Sequence, residues 1–112
     1  MIAENDPNNF RLLEEILIVL GFRVLQAFNS KSIIEVMKSN GVDMLISDML
    51  EPGKQGLKAT KKLKAINSDL IIVGHVESSQ AGLYKEVGID DFLALPFNGQ
   101  DLSKLVEKYF YT

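Results

Sequence analysis

The order of apolar and polar positions along the chain alternates short apolar runs with stretches of helical period. Met1-Ile2-Ala3 is only a stub of apolar strand before the polar cluster Glu4-Asn5-Asp6. Asp6 in front of Pro7 predicts a helix start, because proline at the first helical position gives up no needed N–H and the aspartate can cap the turn. Phe10, Leu13, Ile16, Leu17 and Leu20 recur at helical spacing, and Gly21 supplies the stop. Phe22 to Ala27 alternates with period two and mixed polarity, which predicts an edge strand. Asn29-Ser30 offers a cap for a second helix with Ile33, Val36 and Met37 inward and Asn40-Gly41 at its end.

Met44 to Ser47 is apolar nearly throughout, as expected of a strand covered on both faces, and it ends on Asp48 before the Pro52-Gly53 break. Leu57, Ala59, Leu63 and Ile66 mark a third helix whose outer face carries Lys58, Lys61, Lys62 and Lys64. Leu70 to Val73 predicts another central strand, ending at Gly74-His75. Ala81, Tyr84 and Val87 predict a short fourth helix stopped by Gly88, and Phe92 to Leu95 a last strand ending against Pro96. Asn98 caps a final helix, with Asp101 at the capping-box position and Leu102, Leu105, Val106 and Tyr109 inward.

Strict alternation of strand and helix predicts a parallel sheet with helices on both faces, joined by right-handed crossovers. Five such units are too few for an eight-stranded barrel, so the expected fold class is α/β, a doubly wound open sheet in one domain spanning residues 1–112. In such sheets ligands bind outside the carboxyl ends of the strands. That edge gathers Glu4-Asn5-Asp6, Asp48, Gly74-His75 and Leu95-Pro96.

Composition narrows the classes of function. The 112 residues are 46% apolar and 24% charged, as in an ordinary globular chain. A net charge of −3 argues against nucleic acid or an anionic membrane as the main partner. There is no cysteine, so disulfides, thiolate nucleophiles and Cys-based zinc sites are excluded. The longest apolar run, Ile16 to Leu20, is too short to span a bilayer, and no signal-peptide pattern opens the chain; a soluble, cytoplasmic protein is expected.

Of the polar residues at the predicted edge, Asp48 follows a strictly apolar run, where a mere strand terminator is the less economical reading. Asp6 is most simply a cap, whereas Glu4 has no such local duty and is the better metal candidate. His75 is the only histidine, and lone histidines are usually structural or exposed. The lysines of the third helix read as a solvated face, and Phe110 or Tyr111 as an exposed aromatic.

Three segments carry a family resemblance: Glu4-Asn5-Asp6-Pro7-Asn8-Asn9, Asp43-Met44-Leu45-Ile46-Ser47-Asp48 with Pro52-Gly53, and Gly88-Ile89-Asp90-Asp91-Phe92-Leu93-Ala94-Leu95-Pro96-Phe97. Together they resemble the receiver domain of two-component response regulators, a flavodoxin-like fold with strand order 2-1-3-4-5. The resemblance implies Asp48 as phosphoacceptor, and Mg²⁺ held by Asp48, the Glu4 and Asn5 positions and the Leu50 backbone carbonyl. It also implies a histidine kinase or phosphotransfer protein, or a downstream signalling protein, as partner, with no enzymatic activity of the chain's own.

The sequence departs from that pattern at several points. Asn5 replaces a metal-binding carboxylate, so weakened Mg²⁺ binding is expected. Gly74 is read at the place of a hydroxyl and Leu95 at that of a lysine, while Phe92 keeps the aromatic switch position. The first strand is shortened although the family order puts it mid-sheet. The expected protein is therefore an atypical receiver with impaired or absent phosphorylation, acting through protein–protein contacts at the surface of the last two helices and strands. Two alternatives stand beside it: a fully phosphorylatable receiver in which Glu4, Asp6 and His75 compensate, His75 by an imidazolium charge in place of the lysine, and a small flavodoxin-like nucleotide- or flavin-binding protein.

Overall fold

The computed structural model describes residues 1–111, so Thr112, the last residue of the expected domain, lies outside the described residues. Five parallel strands form one sheet in the order β2-β1-β3-β4-β5. They are β1 (Ile2–Ala3), β2 (Gln26–Ala27), β3 (Met44–Ser47), β4 (Ile71–Glu77) and β5 (Asp91–Leu95). Four α-helices cover the sheet: α1 (Pro7–Val19), α2 (Ser30–Ser39), α3 (Gly53–Ile66) and α4 (Gly99–Phe110).

Alternation along the strands divides the core into two layers. Ile2, Ile46, Val73 and Leu93 face α1 and α4, where Leu13, Leu17, Leu102 and Val106 meet them. Ala3, Ala27, Leu45 and Ile72 face α2 and α3, against Ile33, Met37 and Leu63. The helix starts follow the sequence. Asp6 accepts from the Asn8 N–H, and Asn29 and Asn98 form reciprocal capping boxes with Ser32 and Asp101.

The structure corrects three boundaries. β2 holds two residues instead of the expected six, because β1 offers it only Ile2 and Ala3 as partners: Ile2 donates to the Leu25 carbonyl, and Phe22 to Val24 lie beyond that ladder. β4 runs on through Gly74 and His75 to Glu77 instead of ending at Gly74-His75. The expected fourth helix is a 3₁₀ segment, Ser78–Tyr84, with no buried residue. The apolar markers of the expected helix, Ala81, Tyr84 and Val87, recur every three residues, the period of a 3₁₀ turn, with the buried Val87 in the turn that follows the segment.

α4 is tied to β5 through Asp91, whose carboxylate accepts from Lys108 Nζ at 2.9 Å and from the Tyr109 hydroxyl at 3.0 Å. Burial pushes the Asp91 carboxyl up, but Lys108, the Phe92 amide and Tyr109 outweigh it and hold the group below its ordinary value of 3.8. The unfolded chain then takes up the proton first as pH falls, so the stabilisation is complete above the ordinary carboxylate value and lost below it. Asp91→Asn is expected to lower Tm at pH 7 by a few degrees at most, the pair being exposed and screened. Thermal melts between pH 7 and pH 3 should show the gap to wild type closing as pH falls.

Candidate functional site

β1, β3 and β4 deliver three ionisable side chains to the carboxyl edge of the sheet. Asp48 directly follows β3, and its amide donates to the Ala3 carbonyl. Both its carboxylate oxygens accept from the Asn5 backbone N–H, at 3.1 and 3.2 Å. Partial burial pushes the Asp48 carboxyl up; the Asn5 amide pulls it down, the Glu4 carboxylate pushes it up again, and His75 offsets part of that. The net direction is upward, as expected where two carboxylates share a cleft.

Glu4 and His75 are the polar residues sealed within this cluster. Oε2 of Glu4 lies 2.8 Å from Nδ1 of His75, and the side chains are 1% and 0% exposed. The second oxygen of Glu4, Oε1, accepts from Asn9 Nδ2 at 3.3 Å, so neither oxygen is without a partner. The far nitrogen of the ring, Nε2, is buried and meets no hydrogen-bond partner among the described residues. The ring stands edge-on to Phe97, with centroids 5.2 Å apart.

β4 parity explains why His75 is there. Val73 and His75 point to the α1/α4 layer, and Ile72 and Gly74 to the other. The expectation that position 74 would face the acceptor is therefore corrected: the side chain that β4 sends toward Glu4 is that of His75. A Cβ at Gly74 would lie 3.3 Å from the Phe92 ring and 3.4 Å from Ile89, so the glycine makes room for the Phe92 side chain. Phe92 is half-buried and stacks edge-on with Tyr84 at 6.4 Å.

The remaining predicted residues are dispersed. Asp6 spends its carboxylate on the α1 cap and is exposed. The Leu50 side chain is buried in the α2/α3 layer, two residues past Asp48. Leu95 is half-buried and closes β5 opposite Glu77. Among the described residues, no group of three or more His, Cys, Asp or Glu side chains is spaced to hold a metal ion. Lys64 is not part of a free lysine face, because it pairs with Asp90 at 2.8 Å.

Gly56 is a packing position beneath the loop that follows Asp48. A Cβ there would overlap the Glu51 carbonyl oxygen and come within 2.8 Å of Val87. The loop after Asp48 can close onto α3 only over a glycine, and the available signal was a glycine four residues into a helical pattern. Two cavities, of about 450 and about 300 Å³, are lined by none of Asp48, Glu4 and His75, although the second borders Met49, Leu50 and Glu51. The first opens under the amino ends of β1 and β3, and the second lies between α2 and α3.

The family model described as the response regulator receiver domain matches residues 1–107. This chain belongs to the response regulator receiver family. The receiver is 30% identical over 104 residues to the transcriptional regulatory protein CpxR of Klebsiella pneumoniae, covering 91% of this chain and 44% of that protein. It thus spans less than half the length of that relative. Among solved structures, it matches the receiver domain of the sensor histidine kinase PA1611 of Pseudomonas aeruginosa with a TM-score of 0.81. The identity there is 21%, over 99% of this chain and 95% of the other, and that receiver carries a magnesium ion in its active-site cleft. It also matches the response regulator TrrA of Thermotoga maritima, solved with Mg²⁺ and BeF, with a TM-score of 0.77 at 24% identity over 96% and 94% of the two chains.

Family and fold stand as the sequence implied: a two-component receiver with flavodoxin-like order. Receivers work with histidine kinases and downstream effectors. The alternative of a nucleotide- or flavin-binding protein gives way to this assignment. Among the described residues no helix is long and apolar enough to cross a membrane.

Proposed function

We propose that this receiver acts as a binding module in a two-component pathway, with Asp48 as nominal phosphoacceptor and phosphoryl transfer to it impaired. In the transfer, a carboxylate oxygen of Asp48 would form the bond to phosphorus while the donor's bond to phosphorus breaks. The three phosphoryl oxygens then bring negative charge that must be met by cations or donors. One observation carries the reading: among the described residues, no lysine or arginine forms an ion pair with Asp48. Leu95 takes the place of the lysine, Lys64 and Lys108 are held by Asp90 and Asp91, and the Nδ1 of His75 is committed to Glu4.

The donors on hand fit Mg²⁺ poorly as well. The ion wants oxygen ligands in near-octahedral geometry, yet both Glu4 oxygens have protein partners and Asn5 supplies no charge. Magnesium binding of the kind seen in the PA1611 and TrrA receivers is expected to be weakened here. Signalling then rests on contacts with a kinase, a phosphotransfer protein or an effector, the family partners, in the cytoplasm.

Intact-mass measurement after incubation with Mg²⁺ and acetyl phosphate tests the proposal, with Asp48→Asn as control. A minor fraction of chains at most should gain one phosphoryl group. Near-complete labelling that vanishes in Asp48→Asn would establish the fully competent receiver instead.

A further inference from the structure

We infer that His75 is the residue that withdraws Glu4 from metal duty, so that this receiver's site is closed to Mg²⁺ by an internal hydrogen-bond partner more than by the loss of a carboxylate at Asn5. The inference deepens the reading above and rests on it for the identity of the site.

Three observations converge. The first is geometric: the imidazole reaches Glu4 at 2.8 Å from a strand position whose orientation is set by β4 pairing with both β3 and β5. His75 pairs with Leu93 across the ladder and packs on Phe97, so the ring cannot swing aside without breaking core contacts. The second is stoichiometric. A carboxylate used as a metal ligand needs an oxygen open to the cleft, and the Glu4 side chain is 1% exposed with both oxygens partnered. The third is the unpartnered Nε2: the ring satisfies only one of its two nitrogens, and that one is spent on Glu4. A buried ring that leaves its other nitrogen unmatched gains little hydrogen bonding beyond that single contact.

The contrast with Asn5 decides between two causes. Asn5 meets Asp48 through its backbone N–H, and this contact would be the same with an aspartate at position 5. Restoring that carboxylate adds one charge but leaves Glu4 bound to His75. Releasing Glu4 adds a ligand that is already ionisable, already beside Asp48 and fixed on the backbone next to it. His75→Thr removes the imidazole and returns a small hydroxyl. His75→Asn is the conservative comparison, since its amide nitrogen sits near the place of Nδ1 and can still donate to Glu4.

Mg²⁺ is titrated into the folded protein without any phosphodonor, following backbone and side-chain NMR shifts of Glu4, Asn5 and Asp48 and the Mg²⁺-dependent rise in Tm. Wild type, Asn5→Asp and His75→Asn should show no saturation up to about 10 mM, and His75→Thr should bind at least about tenfold more tightly. Asn5→Asp with His75→Thr should bind tightest. Sub-millimolar binding by wild type, full recovery in Asn5→Asp alone, or equal behaviour of His75→Thr and His75→Asn would each overturn the inference. Should His75→Thr fail to fold, wild type and Asn5→Asp decide it by themselves, because both keep His75. Because no phosphoryl group is involved, labelling of Asp48 by acetyl phosphate would overturn the proposed function while leaving this result to stand on its own.

Discussion

Alanine in place of His75 should cost the fold about 3 kcal/mol or more, because it leaves the buried Glu4 side chain without its main hydrogen-bond partner. The loss arises less from the ring's packing than from what remains: Glu4, 1% exposed in the wild type, would lose its main partner beside the carboxylate of Asp48. Glu4→Gln is the informative comparison. A neutral amide keeps the shape, can still bond His75 and Asn9 and relieves the repulsion with Asp48, so it should cost about 1 kcal/mol or less. Urea denaturation of the three proteins at one pH gives the order. Near-equal costs for the two variants would mean that packing, and not a stranded carboxylate, sets the value of His75. Domains of this size are typically stable by about 5–15 kcal/mol, so the alanine variant should be visibly close to unfolding.

Gly56→Ala should be the most damaging glycine substitution in the chain, and the sign is what makes it diagnostic. On helix propensity alone alanine would gain about 1 kcal/mol inside α3. Here the added methyl overlaps the backbone oxygen of Glu51, which cannot rotate away, and crowds Val87, so a cost of at least about 2–3 kcal/mol is expected. The displaced loop begins one residue after Asp48, so the Asn5–Asp48 contact should loosen too. Gly41→Ala and Gly82→Ala meet open space at ordinary backbone angles and should change stability little. Thermal melts of the three variants, with the Asn5 amide shift as local probe, check both parts. A neutral or stabilising Gly56→Ala would show that the loop adapts at no cost.

Much of the architecture was readable because local chemistry and tertiary packing agree. Asp6-Pro7, Asn29 and Asn98 cap where their side chains can reach the next turn, and the apolar run before Asp48 is buried on both faces as a central strand must be. What was not readable depends on partners distant in the chain. Gly74-His75 looks like punctuation, yet the glycine clears space for Phe92 and the histidine is buried because Glu4, 71 residues away, meets it. Likewise Gly56 signals nothing by itself, since the oxygen that forbids a side chain belongs to a loop whose path only the folded structure fixes.

β1 contributes two residues to each of its neighbouring ladders, whereas β3 and β4 share four pairs and β4 and β5 five. Cooperativity is therefore divided unequally across the sheet. β3, β4 and β5 form one tightly cross-linked block, and β1, with β2 beyond it, joins that block by a hinge of only two ladder pairs. The Asn5 amide that clasps Asp48 lies on the far side of that hinge. Local opening of the weaker half, the low-energy excursion such uneven pairing permits, would release the acceptor's clasp without disturbing the block that carries His75.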